Sequence, residues 1–454
     1  MADLINAVTY ELDKNVLNYN ERRRNKFQLR YDMYSDNFRD QVIVKLGQIY
    51  RSFAELKLDV QLHSNTNIFK QIINSVSKVY AYGVDRTMDD SVYDIYDELR
   101  VSKTMSQANK YLNAFNDVLV QVSWDEMTQM PKLLLRLPHK TDVEYEDGEV
   151  KSVKYYVKSY KSGLERWAYW DKESHYYIDM NKGEGTIVPV EGNEEMVNPF
   201  GELPFVFMHN GWRDENFWDV YTGDDLVNGT LDVSIHITFL NHIIKSQSFK
   251  QLVGKGDNIS GLNGQVLDPL SILTLSGQNT EVSVLDMQSN YEQLWNVINE
   301  MSNSLAINYG IAPSQFRMTG QVSSGFALQM ENLKLDKFIR EQQNDFKYYE
   351  KELFYMMQMV SEYYGKPITG DISIDFAEPT YPIDAQTQLT RDKDSIDLGL
   401  TSPAEILQRE NPDLTDAEAL LKVSNNINAR NELYKRVGTS GMLTTQETAA
   451  KLGL

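Results

Sequence analysis

Apolar positions along this chain keep a helical spacing over residues 1 to about 120. Phe27, Leu29, Tyr31, Met33 and Tyr34 follow a basic cluster, Glu21-Arg-Arg-Arg-Asn-Lys26. Ile68, Ile72, Ile73, Val76, Val79 and Tyr80 then share one face of a predicted helix over 68–82, and residues 106–120 predict another. From Val122 to Phe207 the period becomes two. Runs at 132–137, 150–157, 165–170 and 175–178 predict strands, with polar turns at Glu146-Asp-Gly148, Lys161-Ser-Gly163 and Asn181-Lys-Gly183 between them. The region reads as a meander of aromatic-rich hairpins. Asn198-Pro-Phe-Gly-Glu-Leu-Pro-Phe-Val-Phe207 closes it as a turn and a short apolar strand.

Helical spacing then returns. Gly223-Asp-Asp225 supplies a start signal and favourable first-turn charge for a helix running to about Val253, roughly 45 Å at 1.5 Å per residue. Residues 255–287 hold four glycines, Pro269 and short β-like runs at 264–267, 272–275 and 282–285, which predict a compact β insert. Residues 289–309 are helical again, with Leu294, Val297, Ile298, Met301 and Leu305 on one stripe. A polar stretch, 313–325, precedes the longest predicted helix, 326–364, which Gly365-Lys-Pro367 stops after roughly 58 Å. A strand at 372–376 follows. Ser402-Pro-Ala-Glu405 predicts a capping box, and a further helix starts around Leu414. The fold class is α+β.

Length, 454 residues, allows two or three packed regions, and 41% hydrophobic with 24% charged residues argues against wholesale disorder. The chain has no cysteine, so disulfides, thiolate metal sites and cysteine nucleophiles are excluded. The N-terminus lacks the pattern of a signal peptide, and the apolar stretch 233–244 is too short to span a bilayer. The expectation is a soluble protein made in the cytoplasm, with no membrane partner. Net charge is -20, from 45 basic and 65 acidic residues. That disfavours tight gripping of phosphates and suits a duplex that must slide, although acidity often serves solubility alone.

Catalytic signatures are missing. There is no Gly-x-x-x-x-Gly-Lys-Ser/Thr and no His-Glu-x-x-His, and His236 and His242 stand six apart, the wrong spacing for one helical face. Ser260-Gly-Leu-Asn-Gly264 is no nucleophile elbow. Acidic pairs such as Asp89-Asp90 and Glu194-Glu195 are ordinary surface features, so a metal-dependent nuclease has little support. Trp167, Tyr169, Trp170, Tyr176 and Tyr177 could stack bases, but cross-strand packing is the commoner use of such residues. The cluster at 22–24 reads as a solvated face in preference to a phosphate or capsid contact.

The succession of segments is the informative feature. Asn198–Phe207 followed by Gly223-Asp-Asp-Leu226, Tyr309-Gly-Ile-Ala-Pro313 followed by Ser324-Gly-Phe-Ala-Leu328, and Ile396-Asp-Leu-Gly-Leu400 with Thr401-Ser-Pro-Ala-Glu405 and Asn411-Pro-Asp413 occur in a characteristic order. Over roughly residues 60 to 435 the chain resembles the portal proteins of tailed bacteriophages, the branch often called SPP1 portal-like. The resemblance implies a portal fold: helical and β-rich wing, two-helix stem, small α/β clip, long wing helix and helical crown, assembled as a homo-oligomeric ring, expectedly a dodecamer. It implies a place at one capsid vertex of the virion after assembly in the host cytoplasm. Double-stranded DNA would pass through the ring, driven in by the terminase and later ejected. Major capsid and scaffolding proteins and a head-completion adaptor would be its partners. No cofactor is implied and no enzymatic activity, since the terminase hydrolyses the ATP. The alternatives are another oligomeric head-tail connector or a minor capsid protein.

On that resemblance, residues 1–222 form an N-terminal helical arm and the β-rich wing, 223–254 the first stem helix, 255–287 the clip and 288–310 the second stem helix. Residues 311–325 form the tunnel loop, 326–393 the long wing helix and return strand, and 394–454 the crown and C-terminal tail. Lys245, Lys250 and Lys255 would add cationic belts to a channel, because a closed ring repeats every side chain around its axis. Asp257, Asp268, Glu281 and Asp286 would make the clip an acidic docking collar for terminase and adaptor. Gln315, Phe316, Arg317, Met318, Thr319, Gly320, Gln321 and Val322 would touch the duplex without locking to it.

Overall fold

The computed structural model describes residues 19–49, 66–160, 163–181, 184–247, 251–255, 281–285, 291–312, 325–378, 385–411 and 414–437. Helices and sheets are mixed, as the α+β class requires. The chain divides into two compact units, one of residues 1–320 and 331–380, the other of residues 321–330 and 381–454.

In the larger unit, helices α1 (residues 19–34) and α2 (Arg39–Ile49) lead to α3 (Ile68–Val76). Asn67 caps α3 by accepting from the Lys70 amide, and Ser77 ends it. The helix predicted to reach residue 82 is therefore shorter. Val79 is buried beyond it and Tyr80 partly so, and the Tyr80 hydroxyl donates to Glu350 at 2.6 Å. Strand β1 (Val84–Thr87) and helix α4 (Asp90–Glu98) follow, neither foreseen in the periodicity.

Helix α5 spans Val101–Phe115, and strand β2 takes over at Asp117–Asp125. The expected helix over 106–120 was placed too late in the chain. Asn116 adopts φ +67°, the left-handed backbone that terminates a helix. Asp117-Val-Leu-Val-Gln-Val122 is a continuous run because β2 is the central strand of the sheet β3-β2-β9, buried on both faces. Such a run carries no period-two signal. Leu119 faces one hydrophobic cluster with Phe205, and Val120 and Val122 face another with Val206 and Met208. Strands β3 (Met130–Arg136) and β9 (Phe205–His209) both run antiparallel to β2.

Between them lies a five-stranded antiparallel sheet in sequential order: β4 (Thr141–Glu146), β5 (Glu149–Ser159), β6 (Glu165–Asp171), β7 (His175–Asn181) and β8 (Glu184–Val188). This is the expected meander. Its aromatics pack across strands: Tyr169 stacks on Tyr176 with centroids 4.7 Å apart, and Trp170 on His175 at 3.4 Å. Trp170 is buried against Phe200 and Phe205, which removes it from any open stacking platform.

Helices α6 (Asp224–Gln247) and α7 (Tyr291–Asn308) come next, with strands β10 (Gln251–Lys255) and β11 (Glu281–Leu285) between them in sequence. Helix α8 spans Gly325–Tyr363 and buries Phe346, Leu353, Met357 and Val360 in the second cluster. Strand β12 (Ser373–Phe376) pairs with β1. Glu350, fully buried on α8, accepts two hydrogen bonds from Arg86 and one from Tyr80, so the buried charge is paired and saturated.

The smaller unit contains α9 (Ala385–Asp397), α10 (Pro403–Glu410) and α11 (Asp416–Val437). The capping box read from Ser402 and Glu405 is present in both directions, and Arg409 grips Asp392 through two hydrogen bonds.

Candidate functional site: a braced helix pair

Helix α6 starts where a dense set of polar contacts holds it. Gly223, at φ +90°, makes the turn, and Asp224 and Asp225 occupy the first helical turn, where negative charge suits the helix dipole. Arg30 of α1, 2% exposed, donates to the carbonyls of Thr222 at 2.8 Å and Val220 at 3.2 Å and to Asp224 at 3.1 Å. Lys26 reaches the other Asp224 oxygen at 2.6 Å. Two turns further along, Lys45 of α2 pairs with Asp232 at 2.8 Å.

The loop before α6 is pinned from the other side. Asp117, fully buried at the start of β2, accepts from the Asp219 amide, from Arg213 and from the His209 ring, each at 2.8 Å. Asn116 donates to the carbonyls of Asp219 and Thr222. The Asp219 carboxyl is held below the usual range by hydrogen bonds from Thr222 and Tyr221, against the opposing effect of burial. The helix is thus tied both to the sheet and to the N-terminal helices.

Helices α6 and α7 then pack closely. A Cβ added at Gly229 would lie 2.6 and 2.7 Å from the two Leu305 methyl groups, so glycine sets the approach. Thr230, Ser234 and Thr238 form a buried stripe of small residues four apart, and the last two return their hydroxyls to the carbonyl one turn back. The Tyr309 hydroxyl, just past α7, donates to Asp225 at 3.0 Å and closes the base of the pair. Its pKa is raised by burial and by the Asp225 charge, which keeps it a donor. Beyond α6, β10 and β11 form an antiparallel ladder from Gln251–Leu285 to Lys255–Glu281.

The stripe predicted on α7 is only partly consumed within the chain. Ile298 is buried on it, while Leu294 and Val297 stay about half exposed; off the stripe, Ala306 is buried and Trp295 and Ile307 stay about half exposed, as does Ile244 on α6.

No protein-family model matches this chain, and no curated protein matches it. Solved structures of similar backbone course include chains from gene transfer agent (GTA) particles. One, from the neck of an empty GTA particle with C6 symmetry, is 11% identical and covers 85% of this chain and 89% of its own, at a TM-score of 0.41. Another, from the virion of the native particle, is 11% identical, with 86% and 90% covered, at 0.42. A third, from the native neck with C12 symmetry, is 10% identical, with 86% and 90% covered, at 0.43.

The residues singled out in the sequence are unevenly placed. Lys245 lies within α6, Lys255 within β10 and Glu281 within β11, the last two as register partners. Residues 251–253, to which the first stem helix was expected to run, belong with Lys255 to strand β10. Lys250, Asp257, Asp268, Asp286 and the whole of 315–322 lie outside the described residues, as do the strands expected at 264–267 and 272–275.

The bracing residues were missed. The cluster at 22–24 is not simply a solvated face: Arg23 is 1% exposed, bonded to Asp142 and to the Pro138 carbonyl and set over the Trp218 ring. The signal available was spacing, because positions 23, 27 and 30 share a helical face and so put two arginines beside Phe27. Asp117 and Arg213 carried no such signal.

Proposed function

We propose that this chain is the ring-forming subunit of a portal-type channel in a tailed-phage-like particle. Copies set side by side through the α6–α7 pair would enclose a bore that double-stranded DNA traverses. The observation that carries this reading is the antiparallel-strand ladder joined to two long, closely packed helices whose apolar stripe is left half covered. A second copy docked on Leu294, Trp295 and Val297 supplies the missing cover. Repeating that heterologous contact around an axis closes a ring.

The bracing by Arg30, Lys26, Lys45 and Asp117 fits a helix that must bear load transmitted from the β-rich part of the molecule. In this reading the ladder and residues 256–280 dock the packaging motor and later an adaptor. Residues 315–322 contact the moving duplex, and Lys245, Lys250 and Lys255 add belts of positive charge to an otherwise acidic protein. The chemistry is mechanical: no step needs a catalytic residue of this chain.

Negative-stain electron microscopy of the purified protein tests the reading. Rings with a central hole and a fixed rotational symmetry are expected. A monodisperse monomer across ionic strengths would refute it. Val297→Glu, at a half-exposed position of that stripe, is expected to shift the population from rings to monomers.

A further inference from the structure

Strand β9 ends the sheet β3-β2-β9, so one of its sides has no strand beside it. The ladder to β2 fixes which groups lie there. The Val122 amide donates to the Pro204 carbonyl and the Asn210 amide to the Asn116 carbonyl, which turns residues 204, 206, 208 and 210 toward β2. Phe205, Phe207 and His209 therefore aim their backbone groups outward. At one end the Tyr349 hydroxyl of α8 stands in for a neighbouring strand: the His209 amide donates to it at 3.0 Å, and it donates to the His209 carbonyl at 2.9 Å. At the other end the Phe205 amide turns back to the Leu203 carbonyl at 2.8 Å. Between them, the amide and carbonyl of the half-buried Phe207 and the carbonyl of the buried Phe205 meet no hydrogen-bond partner among the described residues. Backbone groups so far from water are seldom left unpaired.

A cleft of about 880 Å³ runs along this open side, lined by the same three residues of β9. Asp345, Tyr348 and Glu352 of α8 form one wall, and Tyr145, Val150 and Phe217 the other. A strand edge that faces a helix across an apolar gap is where an extended peptide adds to a sheet: ladder bonds give affinity, and alternate side chains fill the pockets.

The charge of the cleft selects among such peptides. Glu149, Glu202, Asp345 and Glu352 line it against Lys172 and Arg213. Most are engaged within the chain: Glu149 by Lys151, Arg213 by Asp117, Glu202 by the Tyr355 hydroxyl, and Glu352 by Tyr348 with His209 nearby. With those partners included, five carboxylates stand against three lysine or arginine cations, so the cleft keeps an acidic balance after its internal pairs are made.

We infer that this cleft takes an extended, basic peptide segment of a partner chain, paired as a strand to the Phe207 edge of β9, with alternate apolar side chains against Tyr145 and Phe217. The inference is independent of the ring reading, since the cleft lies within one copy of the chain.

Isothermal titration of the full-length protein, in whatever oligomeric state it purifies, tests it with a short blocked peptide in which lysine and valine alternate. One saturable site per chain with a Kd below about 1 mM is expected. The same peptide with glutamate for lysine should bind at least about tenfold more weakly. A strand offers only alternate amides to one side. Of two N-methylated versions, one blocked at the valine amides and the other at the lysine amides, one should lose at least about tenfold and the other stay within about threefold. Asp345→Lys and Glu202→Lys, each an exposed change in the cleft, should weaken the lysine peptide several-fold and strengthen the glutamate one. Glu194→Lys/Glu195→Lys, outside the cleft, should leave both affinities within about twofold at physiological salt.

No saturation up to about 5 mM overturns the assignment. Loss in neither N-methylated peptide, or equal loss in both, shows that no ladder forms and overturns it as well. So does unchanged binding in both cleft variants, or an equal loss in the Glu194/Glu195 variant, which would mark attraction to an acidic protein at large.

Discussion

Gly229 offers a sharp test of the close packing between α6 and α7. In an exposed helix, replacing glycine with alanine stabilises by about 1 kcal/mol through backbone entropy. Here the added methyl would sit 2.6 and 2.7 Å from the Leu305 methyls and 3.2 Å from its Cγ. Rotating one methyl away does not relieve all three contacts, so either Leu305 leaves its rotamer or the helices part. Overpacking of this kind costs about 1–3 kcal/mol. Gly229→Ala in the wild-type background should therefore change stability by between about 0 and 2 kcal/mol in the destabilising direction. In a Leu305→Ala background the methyl has room, and the same substitution should stabilise by about 1 kcal/mol. Urea denaturation of the four members of this double-mutant cycle measures the difference, a coupling of about 1–3 kcal/mol. Equal stabilisation by Gly229→Ala in both backgrounds would show that Leu305 does not hold its place against Gly229 and would refute the reasoning.

Two further expectations follow from particular contacts and two from the proposed function. Asp117→Asn should cost about 3–5 kcal/mol in chemical denaturation, because it leaves Arg213 and its neighbours around a neutral amide; a loss under 1 kcal/mol would refute the anchoring role. His139, 8% exposed between Tyr31 and Phe115, has its pKa pushed down to about 4 by burial and by Lys140. A depressed histidine favours the unfolded state once protons bind, so its stability contribution is complete above about pH 6.5 and falls as pH drops toward 4, by about 2 kcal/mol at pH 5. His139→Phe should flatten that part of the pH–stability curve, and an unchanged slope would count against the assignment. Replacing residues 315–322 with a Gly-Ser linker should leave rings intact but reduce DNA packaging or retention, with normal packaged genome length as the contrary result. Charge reversal at Glu281 and Asp286 should weaken pull-down of the packaging motor or adaptor, and unchanged capture would remove that surface from the docking proposal.

Elements whose signal is local were legible in the sequence. The meander announced itself because each strand has one solvated face and a polar turn at each end. The long helix α8 was read as 326–364 and spans Gly325–Tyr363, since a 3.6-residue period sustained over that length has no competing reading. The Ser402 capping box is a contact between near neighbours and appears as written. Errors fell where tertiary burial erases the period. β2 is buried on both faces, so its apolar run was absorbed into the preceding helix. Arg23 looked like surface charge because its partner, Asp142, lies more than a hundred residues away.

What the sequence alone determined is the kind and place of the elements whose signal is local, because helix and strand periods, caps and turn residues act over a few neighbouring positions. What only the tertiary structure decided is which charges are buried and paired, where Gly229 lets two helices touch, and which half of the α7 stripe stays open to a partner. Those depend on contacts between distant segments. A side chain's hydrophobicity tells that it must be covered, but only the packed chain shows what is left to cover it.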